Sequence, residues 1–155
     1  MNLLVVDDDS VIRMLLRTLL TAEGYKVVTA ADGEEALERL AAHKIDLILC
    51  DIYMPGIDGI HLRKLVRAIP HIAQTPFLFI SCHSDGYAVE VVRDPQLEGF
   101  HRKGQPLPAL LSWIKLLTTP VSKRSKLHQN GFAKVSPHGH VRARQRSINT
   151  GMQMM

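Results

Sequence analysis

Short apolar runs alternate with helix-spaced apolar positions through the first 118 residues. Residues 3–6, LLVV, contain no polar position and read as a strand buried on both faces. Over residues 10–23, SVIRMLLRTLLTAE, apolar side chains recur at helical spacing, with Ser10 placed to cap the helix and Gly24 to end it. A second strand is predicted at YKVVTA (25–30), after which Asp32 caps the helix EEALERLAAH with Glu35 at the capping-box position. IDLILC (45–50) is a third, continuous apolar strand, and the loop DIYMPGIDG leads from it into a helix over residues 60–69 that Pro70 breaks. PFLFIS (76–81) is a fourth strand, GYAVEVVRD (86–94) a shorter helix ended by Pro95, and EGFHRK (98–103) a fifth strand. Pro106 and Pro108 introduce a last helix over residues 109–117. Strands alternating with helices in this way predict an α/β fold whose parallel sheet is covered on both faces.

Composition changes that picture at one end only. The 46% hydrophobic content suffices for an ordinary core, and no stretch approaches the roughly 20 apolar residues of a membrane span. The N-terminus meets acids before a signal sequence could form, so a cytoplasmic protein without membrane contact is expected. Cys50 and Cys82 have no CxxC spacing and read as reduced small hydrophobes. Charge divides the chain sharply. Residues 1–118 hold 12 basic side chains against all 15 acids, a balance of −3, whereas residues 119–155 hold the other 7 basic side chains and no acid. The predicted organisation is a domain over 1–118 and a basic, low-order tail over 119–155.

Candidate chemistry concentrates at the strand ends, where sheets of this kind bind their ligands. Asp7, Asp8 and Asp9 leave the first strand, Asp51 the third, Ser81, Cys82 and His83 the fourth, and Lys103 the fifth. Converging carboxylates suit a hard divalent cation such as Mg²⁺. A hydroxyl and an ammonium beside them suit an anionic second ligand such as a phosphoryl group. Together the two ligands would balance three adjacent acids whose charges otherwise repel.

At this point VVDD (5–8), LILCDIYMPGIDG (47–59), FIS (79–81) and GFHRK (99–103) together resemble the receiver domain of response regulators, the phospho-acceptor module of two-component signalling. The likeness covers roughly residues 1–118. It implies a five-stranded sheet in the flavodoxin-like order 2-1-3-4-5. It also implies that Asp51 accepts a phosphoryl group from a sensor histidine kinase or phosphotransfer protein. By the same resemblance Asp7, Asp8, Asp51 and the backbone carbonyl of Tyr53 hold Mg²⁺, and Lys103 pairs with Asp51 and then with the phosphoryl group. Ser81 and Phe100 act as the switch, and the changed surface meets a downstream protein. Such a protein assists its own phosphorylation and dephosphorylation without turning over a separate substrate.

This sequence departs from the family pattern at several positions. Gly104 follows the lysine where proline is usual, Phe100 lacks a phenol hydroxyl, and Tyr53 places a bulky ring where side chains govern access of water to the acyl phosphate. Two alternative readings stay open: a pseudo-receiver that binds partners without switching, and a DNA-associated regulator acting through its tail. RARQR (142–146) is the tail's best segment for weak, sequence-blind contacts to nucleic acid. The blander reading is a solubilising tail, or the remnant of a truncated or frame-shifted output domain.

Overall fold

A computed structural model of the chain describes residues 1–82 and 91–126. Its elements are β1 (Asn2–Val6), α1 (Ser10–Ala22), β2 (Lys26–Ala30), α2 (Gly33–Ala42), β3 (Leu47–Asp51), α3 (Gly59–Ala68), β4 (Phe77–Ser81), β5 (Glu98–Arg102) and α4 (Leu107–Thr118), followed by a 3₁₀ turn over Val121–Lys126. The strands form one parallel sheet in the order β2-β1-β3-β4-β5, as the resemblance implied. Most of the short helix expected over 86–94, together with His83 and the tail beyond residue 126, lies outside the described residues.

Alternation along the strands explains why they read as unbroken apolar runs. Leu4, Val6, Ile48, Cys50, Phe77, Phe79 and Phe100 face one way, packing on Ala36 and Leu40 of α2 and on Leu62 and Val66 of α3. Leu3, Val5, Leu47, Leu49, Leu78 and Ile80 face the other, packing on Leu20 of α1 and on Leu110, Ile114 and Leu117 of α4. Every position between the ends of β1, β3, β4 and β5 is therefore buried, with helices on both faces, while the edge strand β2 is only partly covered. Gly99 in β5 is matched to α4, since a Cβ there would come within 2.8 Å of the Trp113 ring.

Element ends moved where side-chain caps compete. The cap of α1 is Asp9, not Ser10: its Oδ1 accepts from the backbone N–H groups of Val11 at 2.8 Å and Ile12 at 3.4 Å, and Ser10 is the first helical residue. A charged acceptor serves the positive helix end better than a hydroxyl does. At α2 the Asp32 side chain accepts from Glu35 N–H as expected, but Glu35 reaches back to Ala31 N–H, one residue beyond the capping-box partner. Gly24, at φ +88°, follows α1 as its stop.

The first residues of the basic segment are packed on the domain. Arg124 donates to the carbonyls of Thr119, Leu117 and Gln96, tying the 3₁₀ turn to the end of α4 and to the approach to β5. One arginine with several donors can satisfy the carbonyls that a helix end leaves free.

His101 on β5 is 4% exposed, its Nδ1 has no hydrogen-bond partner among the described residues, and burial pushes its pKa below the ordinary 6.5. The unfolded chain takes up this proton more readily than the native one does. His101 therefore adds a pH-dependent term: stability is full above the unfolded-state value and is lost as pH falls through the lowered native one. In urea melts between pH 8 and pH 5, wild type should lose stability more steeply than His101→Leu. Parallel losses would contradict this origin.

Candidate functional site

Each strand end supplies one part of the site. Directly after β1 comes Asp7, 2% exposed, whose N–H still reaches the Ala30 carbonyl at 3.3 Å in the manner of the sheet. Its Oδ1 accepts from Asp9 N–H at 2.9 Å, which folds the chain into a tight turn before α1. Asp8 sits exposed on that turn. The run of three acids is thereby divided: two belong to the site and the third caps the helix.

β3 ends as Asp51, 8% exposed. The following loop returns so closely that Gly59, the first residue of α3, donates to the Ile52 carbonyl at 2.9 Å. A Cβ at Gly59 would stand 2.3 Å from the Asp51 carbonyl oxygen, a spacing that admits only glycine. β4 delivers Ser81, which is 1% exposed. Beyond β5, Lys103 N–H donates to the Ser81 carbonyl at 2.7 Å, continuing the pairing one residue past the strand, and Gly104 at φ +88° then releases the chain.

The Lys103 ammonium joins the two buried acids. It lies 2.8 Å from Asp7 Oδ2 and 3.2 Å from Asp51 Oδ1, so it bridges both where sequence reasoning assigned it Asp51 alone. Burial raises the Asp51 pKa, an effect that Lys103 opposes and the Asp7 charge reinforces. For Lys103, burial pulls the value down, but the hydrogen bond to Asp7 and the attraction of both acids outweigh it and the net shift is upward. Beneath the site the buried Cys50 thiol is held well above its ordinary pKa by burial and by Asp51 and Asp7, which keeps it protonated and unreactive.

One carboxylate oxygen from each of Asp7, Asp8 and Asp51 lies within 4.8 Å of the others. Three carboxylates facing one ammonium leave an excess of two negative charges in a partly dry pocket. An all-oxygen donor set with that excess fits a hard divalent cation. Tyr53 is 51% exposed at the loop after Asp51, and Phe100 is 7% exposed and packed in the α2–α3 core. The structure thus brings Asp7, Asp8, Asp51 and Lys103 together, sets Ser81 at the adjoining strand end, and keeps the Phe100 ring inside.

Sequence reasoning passed over one support of the site and one of the fold. Arg13 donates to the backbone carbonyls of Asp7 and Asp8, yet in an amphipathic helix it reads as one more solvent-facing charge. Glu98, buried between Arg63 and Arg67, reads as an ordinary polar strand start.

A family model described as the response regulator receiver domain matches residues 3–115. The transcriptional regulatory protein AfsQ1 of Streptomyces coelicolor is 38% identical over 90 residues, covering 58% of this chain and 39% of that protein. Among solved structures, chemotaxis protein CheY4 of Vibrio cholerae superposes with a TM-score of 0.68 at 30% identity, covering 74% of this chain and 95% of that one. Response regulator TrrA of Thermotoga maritima, solved with Mg²⁺ and BeF, gives a TM-score of 0.64 at 29% identity, covering 75% of this chain and 97% of that one. The match spans 26%, 39% and 10% of the length of three curated relatives, so this chain corresponds to one part of such proteins.

Proposed function

The chain belongs to the response regulator receiver domain family, and from that premise we propose that it is a signalling switch that accepts a phosphoryl group on Asp51 in a Mg²⁺-dependent reaction. The observation that carries the reading is the Lys103 ammonium, bonded at once to Asp7 and Asp51 beside a third carboxylate. A pocket holding an acceptor carboxylate, a cation site and a mobile positive charge has the parts that phosphoryl transfer requires.

In the proposed step an Asp51 carboxylate oxygen attacks phosphorus on a phosphohistidine of a sensor kinase or phosphotransfer protein. The phosphorus–nitrogen bond breaks, and the departing imidazole keeps the electron pair and takes up a proton. Asp7, Asp8, Asp51 and the Tyr53 carbonyl would hold Mg²⁺, which supplies charge neutralisation for the reacting oxygens. Lys103 gives up its bond to Asp51 and pairs with a phosphoryl oxygen, retaining Asp7 as its anchor. Ser81 donates to another phosphoryl oxygen, and Phe100 shifts with it. The product, near −2 in charge, biases the surface around β4, β5 and α4 toward a downstream partner. No helix among the described residues is long and apolar enough to cross a membrane, and a cytoplasmic setting suits the proposed donors.

Incubation with Mg²⁺ and a small acyl or amido phosphate tests the reading. Intact-mass measurement should detect a single added phosphoryl group, absent when a chelator replaces Mg²⁺. A chain that stays unmodified under both conditions is a binding module instead.

The three consecutive acids should separate in the same assay. Asp8→Ala should weaken Mg²⁺ binding on the order of tenfold or more, since it removes a charged ligand. Asp9→Ala should leave transfer nearly intact and cost about 0.5–2 kcal/mol of stability as a lost helix cap. Equal loss of transfer in both variants would mean that the ligand register is wrong.

A further inference from the structure

Arg13 lies in the first turn of α1, half-buried, and is the residue whose N–H makes the helix's bond back to the Asp9 carbonyl at 3.0 Å. Helical side chains lean toward the N-terminus, so its guanidinium returns over the turn that precedes the helix. There a single nitrogen, Nη1, donates to the carbonyl of Asp7 at 2.7 Å and to that of Asp8 at 3.0 Å. The two hydrogens of one guanidinium nitrogen match two successive carbonyls. Arg13 acts on the Glu35 carboxylate through charge alone, while the hydrogen bonds of its guanidinium go to these two backbone carbonyls.

Those two carbonyls belong to the peptide planes on either side of Asp8. Holding both planes sets the direction in which the Asp8 side chain leaves the backbone. Asp8 needs such a constraint, because it is exposed and its carboxylate is repelled by Asp7 and Asp51 nearby. With no cation present, the turn could relieve that repulsion by rotating Asp8 outward. We propose that Arg13 is a positioning residue that clamps the β1–α1 turn, so that Asp7 and Asp8 present a preformed pair of carboxylates to the divalent cation. The inference rests on the proposed Mg²⁺ site and adds the residue that organises it.

Charge and geometry make opposite demands here, which gives the test its sign. Arg13 is a cation near a cation site, so if charge were its only role, removing it would tighten Mg²⁺ binding. If it acts as a clamp, removing it weakens binding, because part of the binding energy must then order the turn. Calorimetric titration of the unphosphorylated protein with Mg²⁺ reads this directly. Arg13→Met should raise the dissociation constant by about tenfold, the usual effect of losing a partner just outside the ligands. Arg13→Lys keeps the charge but is a bond shorter and lacks the fork, so it should also bind Mg²⁺ more weakly than wild type. Arg17→Met removes the same charge from an exposed position one turn on and should not weaken binding.

Thermal melts with and without Mg²⁺ separate positioning from a merely structural role. The cation-free Tm of Arg13→Met should stay close to wild type while the rise on adding Mg²⁺ shrinks. A lower cation-free Tm with an undiminished rise would overturn the clamp. So would Mg²⁺ affinity in Arg13→Met equal to or tighter than wild type, or full affinity in Arg13→Lys. Should the Met variant fail to fold, the Lys variant carries the decision. Wild-type protein that does not bind Mg²⁺ would instead overturn the proposed site itself, a result distinct from all of these.

Discussion

Asp51→Asn is expected to abolish phosphoryl uptake while leaving the fold in place. An amide has nearly the shape of the carboxylate but offers no anionic oxygen to attack phosphorus, so the loss should be complete rather than graded. The variant should fold, because Lys103 keeps its 2.8 Å partner Asp7 and one of three mutually repelling carboxylates is gone. In Mg²⁺-free buffer its thermal midpoint should accordingly be no lower than that of wild type. Intact mass after exposure to Mg²⁺ and a small acyl phosphate gives the answer. A phosphoryl group still acquired by the folded variant would place the acceptor elsewhere. Asp7 is the neighbour to examine in that event, since it too is buried against Lys103.

Glu98→Ala should cause the largest loss of stability. Its carboxylate is 1% exposed and its Oε1 serves two guanidinium groups on α3, Arg63 at 3.5 Å and Arg67 at 3.4 Å. Its other oxygen accepts from the N–H of Arg93 at 2.8 Å and of Asp94 at 3.4 Å, at the turn that leads the chain back into the sheet. Truncation would leave a buried and a half-buried cation facing one another and two backbone donors without that acceptor. Burial already depresses the Arg67 pKa, an effect that Glu98 partly offsets, so the variant would carry that cost in full. Removing one member of a buried charge network typically costs about 3–5 kcal/mol. Urea denaturation measures it, and a loss under about 1 kcal/mol would mean that water screens the network despite its burial. Below its melting temperature the variant should still take up a phosphoryl group, because Glu98 enters β5 at the end remote from Lys103.

What could be read in the chain followed from how local each signal was. LLVV, LILC and FLFI are legible as strands because a parallel strand covered on both faces needs apolar residues at every position. Asp51 and Lys103 could be nominated because strand ends are where such a sheet exposes reactive groups. Element ends were harder to place. Ser10 and Asp9 are both competent caps, and only the path of the turn gave the bond to Asp9. At the start of the basic segment, composition likewise gave no sign that Arg124 would meet the carbonyls of Thr119, Leu117 and Gln96.

By itself, then, the sequence determined the alternation of strands and helices, the burial of the sheet and the set of acids gathered at its edge. Each of these depends on spacing within one element or on the residue type at its end. The tertiary structure alone decided which groups touch. That Lys103 bridges Asp7 and Asp51, and that Glu98 meets arginines 31 and 35 residues away, both depend on strand order and helix packing. No local spacing encodes such contacts, because they arise from the closing of the sheet.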